Sequence, residues 1–229
     1  MAMNPAGEQA LLPQLRAIPF FQVLDEATLA WLAGQCRWRE YGAGETVFWE
    51  GEPAAGLSFL QAGWLKVVKS VPSGREQVLR FLGPGETFNE IGVLANQPNP
   101  ATAVALEPAG VYLIPREAML QLLREQPAFA QHLIEQLAGR VMHLVTLVAD
   151  LSLRSVTGRL ASLLLSDATD DILHRPRWYT QSELAARLGT VPDVIQRALR
   201  SLEEAGVIQV QRHRIHILDR ERLTEIAAQ

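Results

Sequence analysis

The residues of this chain best suited to chemistry on another molecule lie in PDVIQRALR, residues 192 to 200. On a helix, Asp193, Gln196, Arg197 and Arg200 fall on one side, while Val194, Ile195, Ala198, Leu199 and the later Leu202 fall largely on another. Such a helix docks on a core through its apolar side and holds two guanidiniums, an amide and a carboxylate outward. Arg197 is suited to a bidentate pair with guanine N7 and O6, Asp193 can accept from cytosine N4, and Gln196 can pair with adenine or reach a backbone. That is the chemistry of reading base edges in a DNA groove. Asp193 also suits the positive end of a helix dipole, and the two roles can coexist.

A reading helix needs a support that fixes its angle. Upstream, Gln181 to Leu188 reads as a short helix that starts at Thr180 or Gln181 and carries Glu183 in its first turn, where a carboxylate is favoured. Gly189 can take the left-handed conformation that ends that helix. Pro192 falls in the first turn of the next helix, where its missing N–H costs nothing. Two helices joined by about three residues at a steep angle are a helix-turn-helix. Val207 to Val210 and Arg214 to Leu218 then read as a strand pair with Gln211, Arg212 and His213 at its tip, a wing. Gln181 and Ser182 at the start of the first helix, Thr157 further upstream, and Arg212, His213 and Arg214 on the wing are expected at phosphates. Those contacts set register and salt dependence rather than sequence preference. Arg159 and Arg187 are expected in structural ion pairs or exposed. Helical hairpins also build plain cores and protein-binding modules, so the two-helix pattern does not decide alone.

The remainder of the chain adds weight. From Trp38 to about Pro115, short β-like runs recur with Gly or Pro between them: TVFWE (46–50), LSFLQ (57–61), WLKVVKS (64–70), EQVLRFL (76–82) and GVYLIP (110–115). Many short strands at such spacing indicate an antiparallel sandwich or barrel. Residues 9 to 36 read as helical. A long helix is predicted from about Pro127 to Leu153, with Leu137, Val141, Leu144, Val148 and Leu151 on a heptad seam that extends back to Ile134. A seam of that kind calls for a twin helix, and Leu133, Val145 and Leu147 give the same helix a second apolar side for its own barrel. A homodimer is therefore expected. The organisation is α+β: a sensor barrel over 1–126, a linking and dimerisation helix over 127–153, and a DNA-binding domain over 154–229.

Composition sets the outer bounds. The chain has 229 residues, 48% of them hydrophobic, enough for a good core in two domains. No apolar run approaches the ~18 residues that span a bilayer, and the N-terminal residues lack a signal-like core, so a cytoplasmic protein without membrane partners is expected. Residues 1–153 hold ten Lys or Arg against fifteen Asp or Glu, whereas residues 154–229 hold eleven against ten. Attraction to phosphate must then come from local placement of arginines, and every Lys or Arg after Lys69 is Arg. A lone cysteine, Cys36, excludes a disulfide framework, an iron–sulfur cluster and a thiolate metal site, and reads as a buried small hydrophobe. Neither a Ser-His-Asp spacing, a phosphate-cradling Gly-Lys loop nor a His-Glu metal spacing is present, so neither an enzyme nor a metal site is expected.

A Gly-rich β-roll, a long helix and a winged helix-turn-helix, in that order, resemble the CRP/FNR family of bacterial transcription regulators. The resemblance rests on YGAGETVFWEGEPA (41–54) with Gly63, on GETFNEIGVL (85–94), and on LSLRSVTGRLASLLL (151–165), and it covers nearly the whole chain. It implies a cyclic-nucleotide-binding-type roll, a dimerising helix and ligand-controlled transcription, with double-stranded DNA and RNA polymerase as partners. It also implies that the family's base-reading Arg, Glu and Arg fall on Pro192, Asp193 and Arg197. The operator should then be an inverted repeat that departs from the family's usual half-site where Pro192 cannot donate.

The same resemblance is informative where it fails. In cyclic-AMP-binding members a Gly-Glu-Leu-Gly segment meets the ribose and a later Arg-Ser-Ala neutralises the cyclic phosphate. Here the first segment is Asn89-Glu90-Ile91-Gly92 and the second stretch is Pro98-Asn99-Pro100-Ala101-Thr102-Ala103, without the arginine. A phosphate buried there would carry a desolvation cost of roughly several kcal/mol, so high-affinity cyclic AMP binding is not expected. The polar pair that meets adenine is matched by Leu144 and Val145. The implied effector pocket thus comprises Asn89, Glu90, Ile91, Thr102, Leu144 and Val145, and its ligand is not written in the sequence. Two alternatives stay open: a haem-dependent gas sensor, for which His132, His143 and Met142 are the available ligands, and a regulator that needs no effector.

Overall fold

The computed structural model describes residues 5–72 and 74–228. Where one N-terminal helix was predicted, three pieces form: α1 (Pro5–Ala17), a 3-10 turn (Pro19–Phe21) and α2 (Glu26–Gln35). The breaks have local causes. Pro19 opens the tight turn, and Asp25 caps α2 by accepting from the Thr28 N–H at 2.8 Å.

Eight strands follow: β1 (Arg37–Tyr41), β2 (Thr46–Phe48), β3 (Gly56–Ala62), β4 (Leu65–Ser70), β5 (Glu76–Leu82), β6 (Thr87–Phe88), β7 (Thr102–Ala105) and β8 (Ala109–Pro115), with α3 (Glu90–Ala95) between β6 and β7. They form two four-stranded sheets, ordered β1-β8-β3-β6 and β2-β7-β4-β5. Buried apolar residues face each other across the ladders, for example Leu57 opposite Ile114 and Leu65 opposite Ala105. Leu60, Phe88 and Val111 of the first sheet share one core with Leu65, Leu82 and Ala103 of the second, so the sheets close on each other as a roll. Gly63 turns between β3 and β4 at φ +83°, with the Pro108 carbonyl and Ala109 so near that no side chain fits. A second apolar cluster joins the helices to the roll: Phe20 and Phe21 meet Phe59, Ile114, Phe129 and Leu133. Phe129 and Leu133 are supplied by α5 (Pro127–Leu153), which follows α4 (Arg116–Glu125).

The C-terminal part consists of α6 (Val156–Asp167), β9 (Ile172–His174), α7 (Gln181–Arg187), α8 (Pro192–Glu204), β10 (Ile208–Val210), β11 (Arg214–Ile217) and α9 (Arg220–Ala227). The predicted wing pair is there, and β9 extends it to a sheet ordered β10-β11-β9. Leu160, Leu164, Leu184, Ile195, Leu199, Leu202, Ile215 and Leu223 are buried. The chain divides into two compact units: Met1–Lys69 with Leu79–Val141, and Ser70–Val78 with Met142–Gln229. The β4–β5 tip groups with the second of these. There the Gln77 side-chain amide donates to the Arg187 carbonyl at 3.2 Å.

Candidate nucleic-acid interface

Two helix starts and one glycine set the geometry of the C-terminal unit. Thr180 caps α7, its hydroxyl accepting from the Glu183 N–H at 3.3 Å. Gly189 lies at φ +65°, and the Thr190 N–H returns to the Ala185 carbonyl at 2.9 Å, closing the end of α7. A side chain at Gly189 would meet Gln77 Oε1 and Leu151 Cδ2, each 2.8 Å from its Cβ. Pro192 then opens α8 from its first turn.

Along α8 the two sides separate cleanly. Ile195, Ala198, Leu199 and Leu202 are buried, whereas Pro192, Asp193, Gln196, Arg197 and Arg200 are exposed. Burial of those four apolar side chains stabilises the helix's seat by roughly 1.5–3 kcal/mol per large residue, which is what holds the polar side in a fixed direction. Arg197 Nε donates to the Asp193 carbonyl at 3.4 Å, and no salt bridge among the described residues occupies its guanidinium. On the wing, Arg212, His213 and Arg214 are exposed, with Arg214 Nε donating to Gln211 Oε1 at 2.5 Å. Gln181 and Ser182 are exposed in the first turn of α7, and Thr157 is half-buried in the first turn of α6.

Of the two arginines expected in ion pairs or exposed, Arg187 is ion-paired, whereas Arg159 is half-buried and bonds backbone carbonyls instead. Arg187 ion-pairs with Asp167 and donates to the Tyr179 hydroxyl at 2.8 Å. Burial pulls the Arg187 guanidinium down, but Tyr179 and Asp167 together hold it above its usual value. Arg159 donates to the Arg154 carbonyl at 2.9 Å and the Leu151 carbonyl at 3.4 Å, satisfying the end of α5.

In the roll, Glu90 is only 4% exposed and ion-pairs with Arg140 of α5. Arg140 Nη2 also donates to the Thr87 carbonyl and hydroxyl, both at 3.3 Å. Arg80 converges on the same carbonyl at 3.2 Å and pairs with Glu86 at 2.5 Å. Neither arginine was picked out from the sequence, because the partners lie far apart along the chain and no local pattern links them. Asn89, left-handed at φ 70°, donates from its amide to Asn99 Oδ1 at 3.0 Å. Two acceptors here, Glu90 Oε1 and Asn89 Oδ1, are buried without a hydrogen-bond partner. Ile91 faces outward, and the Thr102 hydroxyl accepts from the Glu50 N–H at 3.1 Å.

Along α5, Ile134 (67% exposed), Val141, Leu144, Val145 and Val148 (63%) form an uncovered apolar stripe. Leu137 instead packs on the roll's helical core, and Leu151 is half-buried beside Gly189. His132 Nε2 lies 3.2 Å from the Pro19 carbonyl, while His143 and Met142 are exposed. Among the described residues, no group of three or more His, Cys, Asp or Glu could hold a metal ion, and no helix is long and apolar enough to cross a membrane.

Residues 38–126 match the cyclic nucleotide-binding domain family, and residues 158–226 match the Crp-like helix-turn-helix domain family. Over 213 residues the chain is 28% identical to a CRP-like cAMP-activated global transcriptional regulator of Mycobacterium tuberculosis, covering 90% of this chain and 95% of that one. It is 30% identical to the cyclic AMP receptor protein of Thermus thermophilus, over 82% of this chain and 87% of the other. In fold it is similar to the structure of FixK2 from Bradyrhizobium japonicum, with a TM-score of 0.75 at 22% identity, covering 85% of this chain and 98% of that one.

Proposed function

This chain belongs to the CRP/FNR family of transcription regulators, and from that premise we propose that it is a homodimeric, sequence-specific DNA-binding regulator whose roll takes an effector other than high-affinity cyclic AMP. The observation that carries the DNA reading is α8. Its exposed Asp193, Gln196, Arg197 and Arg200 stand opposite a fully buried apolar side, and its start is fixed by the Gly189 turn. Arg197 reads guanine and Asp193 reads cytosine, each contributing ~1–3 kcal/mol of discrimination. Gln181, Ser182, Thr157 and the wing's Arg212, His213 and Arg214 hold phosphates.

The dimer seam keeps Ile134, Val141, Leu144 and Val148 and adds Val145 in place of Leu137 and Leu151, which are engaged within their own chain. Twin α5 helices then place two α8 helices ~34 Å apart on one face of the duplex, so the operator is an inverted repeat. RNA polymerase is the partner through which such a cytoplasmic regulator acts.

The effector reading rests on charge. Residues 98–103 offer no cation to a phosphate, and the guanidiniums that reach this end of the roll, Arg80 and Arg140, are already paired with Glu86 and Glu90. Control requires that the effector bind the DNA-competent state more tightly than the other. Selection of genomic fragments by the purified protein at stated salt, with and without cyclic AMP and other candidate effectors, tests the reading. Enrichment of inverted repeats with no response to micromolar cyclic AMP is expected. Enrichment that depends on cyclic AMP would overturn the effector reading, and no enrichment under any condition would overturn the DNA reading.

A further inference from the structure

Two ion pairs meet at the end of the roll where β6 leads into α3. Arg140 pairs with Glu90, and Arg80 pairs with Glu86 at 2.5 Å. Both guanidiniums also donate to the Thr87 carbonyl, Arg140 at 3.3 Å and Arg80 at 3.2 Å, so the pairs share one anchor. Two cations against two anions leave the group without net charge.

The pairs are not equivalent. Glu86 is partly exposed and uses both oxygens, one for Arg80 and the other for the Gly83 N–H at 2.6 Å. Glu90 is almost fully buried, gives Oε2 to Arg140, and leaves Oε1 buried without a hydrogen-bond partner. A carboxylate oxygen stripped of water and offered no donor is costly to keep. The Arg140 side chain is less buried than its partner, so the pair can be approached from solvent on the arginine side.

Charge decides what could use that acceptor. A ligand bringing only an ammonium to Glu90 would take it from Arg140 and strand a guanidinium. One bringing only a carboxylate to Arg140 would strand Glu90. Removing one partner of a buried pair is strongly unfavourable, because the other charge is left uncompensated. A ligand with both charges strands neither: its ammonium donates to Glu90, and its carboxylate accepts from Arg140. Arg140 and Glu90 are in direct contact, so the ligand's two groups must also be neighbours, as they are on one α-carbon. A third charge would unbalance the group, and Ile91, next to Glu90, is an exposed apolar side chain.

Resting on the effector reading above, we propose that the Arg140–Glu90 pair is the receptor for a zwitterionic α-amino acid with a neutral, apolar side chain. A cyclic nucleotide makes a different demand, since it brings an anion and no cation. Arg140 belongs to α5, so the exchange of its partner acts on that helix directly.

Calorimetric titration of the full-length protein with each apolar L-amino acid at millimolar concentration tests the proposal. At least one should bind, and its two single-charge analogues, the amine without the carboxyl and the acid without the ammonium, should bind about thirtyfold or more weakly. For L-leucine these are isoamylamine and isocaproate. R140Q/E90Q removes both charges together and strands neither; it should stay folded by circular dichroism and lose the binding. The analogues are read on the wild-type chain, so they decide the matter even if the double variant does not fold. An analogue that binds as well as its parent, or a folded double variant that still binds, would overturn the inference. Absence of heat from every amino acid would overturn it too, and with cyclic AMP also silent the effector reading would stand. Heat from micromolar cyclic AMP would remove both.

Discussion

Arg140 on the long helix ion-pairs with Glu90, the buried carboxylate at the head of α3. The pair bonds the helix that carries the proposed dimer seam to the very carboxylate that the family resemblance places at an effector's ribose. Arg140 also holds Thr87, so one guanidinium ties α5 to both β6 and α3. A ligand that offered Glu90 a different donor would compete with Arg140 for it.

Removing Arg140 should therefore do more than remove a charge. R140A leaves a carboxylate that is 4% exposed without its cation, and urea unfolding should show a loss of about 2–3 kcal/mol. Adding E90Q should recover most of that loss, since a neutral amide needs no counter-charge. Strictly additive losses in the two variants would contradict the pairing.

Replacing Arg197 with Ala should relax the preference for guanine at one position in each half-site, a loss of ~1–3 kcal/mol in discrimination. R212A should weaken all duplexes about equally and reduce the salt slope instead. Sequence logos for the two variants distinguish the roles. An unaltered logo for R197A would make Arg197 a phosphate contact.

A carboxylate on the uncovered stripe of α5 should break the dimer. Val148 is 63% exposed in one chain, so V148D costs the monomer little but places paired carboxylates in a twin-helix seam. Sedimentation should move from dimer to monomer while circular dichroism stays the same. L137D, by contrast, should unfold the roll's helical layer, because Leu137 packs on that core.

Cys36 donates to the Leu32 carbonyl at 3.3 Å in the N-terminal core, and burial pushes its thiol up to about 12. Alkylating reagents at pH 8 should label it only as fast as the unit opens. Because the folded value is raised, its contribution to stability is complete below the ordinary value of 9.0 and is lost as pH rises toward about 12. The stability difference between wild type and C36A should narrow over that alkaline window and stay flat below it.

Much of this arrangement was legible in the residues because it is written locally. The Gly189 turn, Pro192 at a helix start and the two-sided α8 each need only a few neighbours, and each appears where its chemistry demands. The long helix likewise runs from Pro127 to Leu153 as its periodicity predicts. What escaped depends on distant parts of the chain. A heptad pattern cannot say which of its leucines turn inward, so Leu137 and Leu151 looked equivalent to Val141. β1, β6 and β7 were missed for a related reason: RWREY is largely charged, TF is two residues long, and TAVA carries little that marks a strand outside its pairing with β4. The Arg140–Glu90 pair exists only once the chain has closed on itself.

The most direct measurement is selection from a random duplex library by the full-length protein at low ionic strength, with the stoichiometry of the recovered complex determined alongside. The expected result is two chains per duplex on an inverted repeat whose half-sites are centred ~34 Å apart, with a guanine in each that disappears from the logo when Arg197 is replaced. A protein that stays monomeric and enriches no sequence would contradict it.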